Sequence, residues 1–377
     1  MDIRLVKNDE LQQAVQLADE VFRKPGQSSM GTSFPFLFAP GLSHSYGAFV
    51  DGRLVSFMGL VPFVIHIGEA RLNVFSMGAV CTHPDYRGQG IAGQMLDRCK
   101  QHAEEAGASL LFISGDRSLY TRVHCYPFGL TEHFTLDAEG AARLKAAASA
   151  LQAGDSPLQL RPFQAADSFA LHAAASAREV AYEQSVTDLG RMIDAEAYAS
   201  CMKLEHQTLV AAHGTGSIDS FAVVAAPGRS ADSKPPTAIE WAGPAAHVGS
   251  LLAEAVERLN LEQLKIPVSW HEQQLLGLLQ EAAVPYETKA NNGTVYIVNA
   301  QRVLEQAFPV ADKNHKHAFA ITSLEEGSYK VKAGDTSIEV NPAELVSLLF
   351  DPLSPHKPLL PGWSTIPLPH TSGLNYI

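Results

Sequence analysis

The segment from Val80 to Leu96 reads VCTHPDYRGQGIAGQML, and it decides the fold of the first part of the chain. Apolar residues end near Thr82, a turn begins at Pro84, and a glycine-rich loop leads directly into an apolar-periodic segment that begins at Ile91. The free backbone N–H groups of such a loop and of the following helix N-terminus bind anions such as phosphate. Glycines suit this loop because a Cβ would hold a pyrophosphate away from the N–H groups. The segment therefore predicts a strand, an anion cradle and a helix.

The same glycines also fit the pattern G-x-G-x-x-G, which is the fingerprint of dinucleotide-binding folds. An acid, Asp116, follows roughly where that fingerprint expects one. However, the dinucleotide loop closes the first strand of a parallel βαβ unit. Here antiparallel hairpins precede the loop, and residues 83–87 separate the strand from the glycines. This context favours the phosphate cradle over the dinucleotide site.

The surrounding pattern predicts a mixed sheet with helices. Asp51-Gly52 between apolar runs favours a type I′ turn and hence a β-hairpin. The predicted order is a strand, a helix, several antiparallel strands, a helix and a strand. The predicted strands are 3–6, 46–50, 54–60, 61–67, 72–82 and 110–114, the helices begin at Asp9 and Ile91, and 26–41 is predicted to be a long loop.

Three landmarks of the first part recur about 160 residues later, which suggests a divergent tandem duplication. Arg161, Pro227 and Pro244 echo Arg4, Pro62 and Pro84. The repeat predicts four segments: a catalytic domain over 1–137, an Ala-rich linker over 138–157, a degenerate second copy over 158–300, and a small C-terminal domain with a docked tail over 301–377. Residues 319–324, 329–333 and 336–340 of the last segment are predicted strands, and 342–350 a helix.

Composition limits the partners. The 377 residues hold 28 Lys and Arg against 40 Asp and Glu, a net charge of −12, and this acidic balance argues against nucleic acid. No apolar stretch reaches the roughly 20 residues that span a bilayer, and the amino terminus is too charged for a signal peptide. The four cysteines and fifteen histidines show no spacing typical of a metal site. We therefore expect a cytoplasmic protein without a metal or a membrane partner, and self-association stays open.

The arrangement resembles the GNAT superfamily of N-acetyltransferases. Its signature, Arg/Gln-x-x-Gly-x-Gly/Ala after a strand, is matched by Arg87, Gly90 and Ala92. Residues 118–129 resemble the family's later segment, in which a helix bearing a Tyr precedes an aromatic-Gly ending. Two GNAT-like copies with a small third domain further resemble the enhanced-intracellular-survival type of acetyltransferase, whose third unit is sterol-carrier-like. The resemblance implies an α+β fold: tandem acyl-CoA N-acyltransferase domains with mixed, mostly antiparallel sheets and a small α+β C-terminal domain.

The resemblance implies a transfer of acetyl from acetyl-CoA to a primary amine of a small molecule or peptide by direct attack. It implies that Tyr120 protonates the leaving thiolate and that the carboxylate of Ile377 acts as base; Tyr126 is the competing acid, and plain packing of the chain end is the alternative for Ile377. It implies that acetyl-CoA contacts a set of strand and loop residues: Val80, Cys81, Thr82, Arg87, Gly88, Gln89, Gly90, Ile91, Ala92, Gly93, Gly115 and Asp116. The second copy lacks the loop and is expected not to bind CoA.

Three further alternatives stay open at the level of sequence. Phe34, Phe36 and Phe38 alternate in the predicted loop and either line the acceptor pocket or pack against the domain. Cys81 and Cys125 are either nucleophiles or buried thiols, and burial is the usual outcome for a free cysteine. A non-catalytic acyl-CoA-binding or sensing module is the alternative to the enzyme.

Overall fold

The structure, a computed structural model, describes residues 1–115, 118–152, 158–214, 217–228, 234–311 and 319–377. These residues form two compact units, and both are discontinuous in sequence. Unit 1 comprises Met1–Gly129, Asn292–Leu368 and Ile377, and unit 2 comprises Leu130–Asn291 and Pro369–Tyr376. The predicted boundaries at 137, 157 and 300 do not coincide with this division.

The amino-terminal part of unit 1 follows the predicted order of elements. Its strands and helices are β1 (Asp2–Leu5), α1 (Leu11–Phe22), α2 (Met30–Ser33), α3 (Pro35–Phe38), β2 (Tyr46–Val50), β3 (Arg53–Ile67), β4 (Ala70–Thr82), α4 (Ile91–Glu105), β5 (Leu110–Ile113) and α5 (Ser118–Thr121).

Unit 2 holds the middle of the chain, and unit 1 then resumes. The elements of unit 2 are β6 (Thr131–Leu136), α6 (Ala138–Leu151), β7 (Gln159–Pro162), α7 (Ser168–Ser176), β8 (Val180–Tyr182), α8 (Val186–Ala195), α9 (Ala197–Cys201), β9 (Leu204–Ala212), β10 (Ile218–Pro227), β11 (Thr237–Ala242), α10 (Ala245–Arg258), β12 (Leu264–Ser269), α11 (Gln273–Glu281) and β13 (Tyr286–Lys289). Unit 1 continues with β14 (Thr294–Ile297), α12 (Ala300–Ala311), β15 (Phe319–Ser323), β16 (Tyr329–Ala333), β17 (Thr336–Val340) and α13 (Pro342–Phe350).

The main sheet of unit 1 has the strand order β1-β2-β3-β4-β5-β14. Its neighbours are antiparallel except β4 and β5, which are parallel because α4 connects them. The β2–β3 turn has positive φ at both Asp51 (51°) and Gly52 (80°), as the predicted type I′ turn requires. Helix α4 buries Ile91, Met95, Leu96 and Cys99 in a cluster with residues of the sheet.

The main sheet of unit 2 has the order β7-β9-β10-β11-β12-β6-β13. Strands β11 and β12 are its parallel pair, and α10 connects them. Its core holds apolar residues of α6, α10 and α11 together with the strands. Both sheets are mixed and mostly antiparallel, so the predicted α+β class is confirmed.

Several local predictions were wrong. The predicted loop over 26–41 contains α2 and α3, because Ser29 caps the first by accepting a hydrogen bond from the Gly31 N–H (3.2 Å) and Pro35 begins the second. Strand β3 is continuous through Pro62, which is exposed. Most of the predicted linker is α6, whose Asp137 cap accepts from the Gly140 N–H (2.7 Å) and whose Leu144 is fully buried.

The carboxyl-terminal segments behave as predicted. Strands β15, β16 and β17 form an antiparallel three-stranded sheet. The Pro-rich end packs against the protein, since Trp363, Ile366 and Leu368 are all at most 5% exposed. Within the described ranges, none of the helices combines the length and apolar composition that a membrane crossing requires.

Candidate active site

The candidate site of unit 1 begins where its two parallel strands separate. The ladder between β4 and β5 ends at the pair Met77–Ile113. The Met77 carbonyl then accepts hydrogen bonds from the backbone N–H (3.1 Å) and the hydroxyl (3.2 Å) of Ser114. Beyond this point β3 is the strand that pairs with β4 among the residues that the structure describes, so the backbone edge of β4 that faced β5 becomes available to another group.

A β-bulge changes the direction of the last residues of β4. The register between β3 and β4 shifts between the pairs Phe57–Cys81 and Gly59–Gly78, and Ala79 has φ of 50°, which is rare for a residue other than glycine. After the bulge, the Ser56 hydroxyl donates to the Cys81 carbonyl (2.9 Å) and lies 2.8 Å from the Thr82 hydroxyl. The predicted cofactor strand, Val80 to Thr82, is therefore held on its β3 side.

The loop after β4 has the predicted form of an anion cradle. Gly88 and Gly90 have φ of 76° and 74°, a region that disfavours side chains, and Gly90 is the N-cap of α4. The Arg87 Nε donates to the Thr82 carbonyl (3.1 Å), which ties the loop back to the strand. The first N–H groups of α4 have no acceptor within the helix and point out of its N-terminus.

The space in front of this loop is open. A Cβ added at Gly88, Gly90 or Gly93 would meet no described atom within 4 Å. Gln89 is exposed, and its Nε2 lies 3.4 Å from the Asp85 carbonyl. Ile91, by contrast, is buried and Ala92 half-buried, so they anchor α4 while the loop faces outward. Positive dipole, free N–H groups and open space together fit a phosphate group.

Tyr120 lies in α5, after the end of β5. It is 5% exposed and packs in the cluster that contains Ile91 and Ile113. A Cβ at Gly115 would lie 3.2 Å from the Tyr120 ring, so a larger residue there would press on the ring. The Gly115 carbonyl accepts a hydrogen bond from the Thr294 hydroxyl (3.2 Å). Asp116, the remaining predicted cofactor residue, lies outside the described residues.

The chain end lies against β4. Ile377 is 6% exposed, and a Cβ at Gly78 would overlap its carbonyl carbon and oxygen. Glycine is thus required at position 78 for the terminal residue to approach the strand, one residue before the bulge at Ala79. The structure brings Ile377 to the strand end that carries the predicted cofactor residues Val80 to Thr82.

The cysteines of this region are buried. Burial raises the pKa of both the Cys81 and the Cys125 thiol to about 12. A thiol with such a pKa is protonated near neutral pH and is a poor nucleophile. These cysteines therefore pack as apolar residues.

The three phenylalanines separate by environment. Phe34 and Phe38 are 3% and 6% exposed, and the Phe38 ring stacks on Phe57 at 5.3 Å. Phe36 is half-buried, with its ring 6.4 Å from that of Phe63. The burial of Phe34 and Phe38 fits packing against the domain, and a contact with the acceptor stays a prediction for all three phenylalanines.

Two features of the site were not found from the sequence. The bulge at Ala79 has a weak signal, the Gly78-Ala79 pair within an otherwise apolar strand. The strand β14, which pairs with β5 through Val295 and holds Tyr126 by a bridge, comes from a part of the chain assigned to the second copy. Tyr126 is half-buried, and its hydroxyl lies 3.3 Å from the His124 Nδ1. Tyr120, by contrast, is buried in the core cluster.

Comparisons with known proteins agree with this geometry. Residues 2–127 match the family model of the acetyltransferase (GNAT) domain. No curated protein matches the sequence. Among solved structures, a protein of unknown function from Enterococcus faecalis, described as a probable N-acyltransferase, is 12% identical with a TM-score of 0.66, and the match covers 91% of this chain and 86% of that one.

Two further structures are similar over nearly the whole chain. Eis1 from Mycobacterium abscessus is 13% identical with a TM-score of 0.65, over 98% of this chain and 100% of that one. A GCN5-related N-acetyltransferase from Kribbella flavida is 14% identical with a TM-score of 0.62, over 92% and 90%. At identities of 12–14%, the similarity to these structures shows the fold of the chain alone. Residues 2–127 therefore match the acetyltransferase (GNAT) domain family, within a chain whose α+β fold is similar to that of these three solved structures.

Proposed function

We propose that this protein is an N-acetyltransferase that moves acetyl from acetyl-CoA to a primary amine of a small molecule or peptide. The observation that carries the proposal is the separation of β4 from β5 beside a glycine loop with open space in front of it. The free edge of β4 is suited to backbone hydrogen bonds with the pantetheine amides, and the loop to the pyrophosphate. Acetyl-CoA supplies the activated thioester.

Each part of the site has a role in this proposal. Residues 80–82 orient the thioester and polarise its carbonyl through backbone N–H groups, and residues 87–93 hold the pyrophosphate. The Tyr120 hydroxyl donates a proton to the departing thiolate. The Ile377 carboxylate accepts a proton from the ammonium of the acceptor, and the terminal residue is 6% exposed and lies against Gly78 of β4.

We also propose that unit 2 derives from a duplicated GNAT domain. Strands β7, β9, β10, β11 and β12 repeat the order of β1 to β5, and along both sets of five strands the helix-connected pair is the parallel one. The Gly243-Pro244 turn before α10 lacks the arginine and glycines of the cradle. Unit 2 is accordingly assigned no CoA site. Residues 301–377 are assigned to a small sterol-carrier-like domain with a docked tail. A cytoplasmic location completes the proposal.

The alternative is a module that binds acyl-CoA without turning it over. Both functions predict CoA binding to unit 1, but only the enzyme releases free thiol from acetyl-CoA when amines are supplied. Thiol release and product mass across aminoglycosides, polyamines, peptides and small metabolites separate the two. Acetyl-CoA binding without acyl product from any amine would favour the alternative.

The cradle is tested by Gly90→Glu. A carboxylate about 4 Å from a phosphate costs on the order of 4 kcal/mol at an effective dielectric of 20, so CoA affinity should fall by at least about 100-fold. Gly107→Glu at the other end of α4 is the matched control, because Gly107 has a similar φ of 76° and open surroundings. Calorimetry should show weak CoA binding in Gly90→Glu alone, whereas equal affinities in both variants would refute the assignment.

The general acid is tested by Tyr120→Phe, which removes only a hydroxyl. We expect kcat to fall by about 100-fold or more, with unchanged KM for acetyl-CoA. Tyr126→Phe is the matched control and should keep full kcat. If the loss instead occurs in Tyr126→Phe, the acid is Tyr126.

The terminal carboxylate is tested by deletion of Ile377. This moves the carboxylate back by one residue, about 3.5 Å along an extended chain, and should lower kcat sharply at normal acetyl-CoA affinity. Ile377→Val retains the carboxylate and serves as the control, with the melting temperature measured for both. If the shortened protein keeps its full kcat, the Ile377 carboxylate is not the base, and the role of Ile377 is packing against β4.

A further inference from the structure

Unit 2 contains a cluster of two histidines and an aspartate that plays no part in the proposed acetyl transfer. His213 follows β9, Asp219 lies in β10, and His247 lies in the first turn of α10. The His213 Nε2 lies 2.9 Å from one oxygen of Asp219, and the His247 Nδ1 lies 3.0 Å from the other. One ligand-type atom from each residue lies within 4.8 Å of the others.

The backbone is built to bring these residues together. The His213 N–H donates to the Ser217 carbonyl (2.9 Å), which closes the β9–β10 hairpin and places His213 beside Asp219. Gly243 has φ of 114°, and a Cβ there would overlap the Ser220 side chain and crowd the Asp219 carbonyl. Glycine therefore lets the turn before α10 lie against β10, and His247, in the first turn of α10, reaches the Asp219 carboxylate.

The surroundings leave one side of the cluster to solvent. The side chain of His247 is 7% exposed, whereas those of His213 and Asp219 are 25% and 39% exposed. The Ser220 hydroxyl donates to Asp219 (2.6 Å) and orients the carboxylate.

We propose that His213, Asp219 and His247 bind a divalent transition-metal ion of the zinc class. Two imidazoles and one carboxylate are a donor set that suits zinc and its neighbours better than magnesium or calcium, which prefer oxygen ligands. Water completes the coordination from the open side. Small ring rotations bring the three donor atoms to the metal–ligand distances of about 2.0–2.2 Å that zinc requires.

The proposed ion has a structural consequence. It cross-links the β9–β10 hairpin to the N-terminus of α10, at the position where unit 1 has the anion cradle at the N-terminus of α4. An ion that binds only the folded state stabilises it in proportion to the logarithm of its concentration. Zinc should therefore raise the melting temperature of the protein without any change at the acetyl-transfer site.

The test uses the untagged chain with Cys201→Ser, because Cys201 is exposed whereas the other three cysteines are buried, and an exposed thiol competes for zinc. Calorimetry should show one saturable zinc site, and cobalt should give the visible absorption of a nitrogen- and oxygen-ligated ion. His213→Ala and Asp219→Asn should each weaken zinc binding by about 100-fold or more, since even outer-shell changes cost 10- to 100-fold. Both variants should also lose the zinc-dependent rise in melting temperature.

The matched control is His102→Gln. In unit 1 the His44 Nδ1 lies 3.0 Å from the His102 Nε2, so this pair is the natural competitor for zinc. Zinc binding should persist in His102→Gln. Absence of saturable zinc binding in the parent, unchanged affinity in the His213 and Asp219 variants, or loss of binding in His102→Gln would each overturn the proposal, and the cluster would then be a His–Asp–His hydrogen-bond network.

Discussion

The end of hydrogen bonding between two parallel strands is the constraint on which the site of unit 1 depends. After Met77 and Ile113 the ladder between β4 and β5 stops, and the bulge at Ala79 redirects the last residues of β4. A strand edge without partners is costly to bury, because each backbone N–H and C=O needs a hydrogen bond. A ligand with its own amides satisfies that need, which is why this gap can be a binding site and not a defect.

The two units share a strand order but differ in the segment that precedes the helix between their parallel strands. In unit 1 the loop before α4 has glycines with positive φ, and a Cβ added at Gly88 or Gly90 would meet no described atom within 4 Å. In unit 2 the turn before α10 contains Gly243 for another reason, the close approach of the backbone to Ser220, and histidine and aspartate side chains gather there. One sheet plan thus presents a proposed phosphate site at a helix N-terminus in one unit and a proposed cation site in the other.

The sequence predicted the elements that depend on local rules. The Asp51-Gly52 turn, the α4 helix from Ile91 and the strands after 319 follow from turn chemistry and periodicity, and the structure confirms them. Residues 138–151 were misjudged because an Ala-rich segment resembles a linker until Leu144 is seen in the core. The local sequence around Phe34 did not reveal its burial, since that depends on contacts with residues distant in the chain.

Other long-range features could not be predicted from the sequence either, because they also depend on contacts between residues distant in the chain. Strand β14 belongs to the sheet of unit 1 although it follows most of unit 2 in the chain, and no local pattern encodes that exchange. Likewise, the closeness of Gly78 to Ile377 joins residues almost 300 positions apart. The His213, Asp219 and His247 cluster was missed because its spacing of 6 and 28 residues matches no metal motif.

The central claim is that the backbone of the loop in unit 1 holds acyl-CoA. Amide hydrogen exchange of the full chain, with and without acetyl-CoA, measures this directly, because N–H groups that gain phosphate acceptors exchange more slowly. The N-terminus of α10, residues 245–249, provides the internal reference. The account predicts slower exchange at residues 87–93 upon addition of acetyl-CoA and unchanged exchange at 245–249. Unchanged exchange at 87–93 with saturating acetyl-CoA would contradict it.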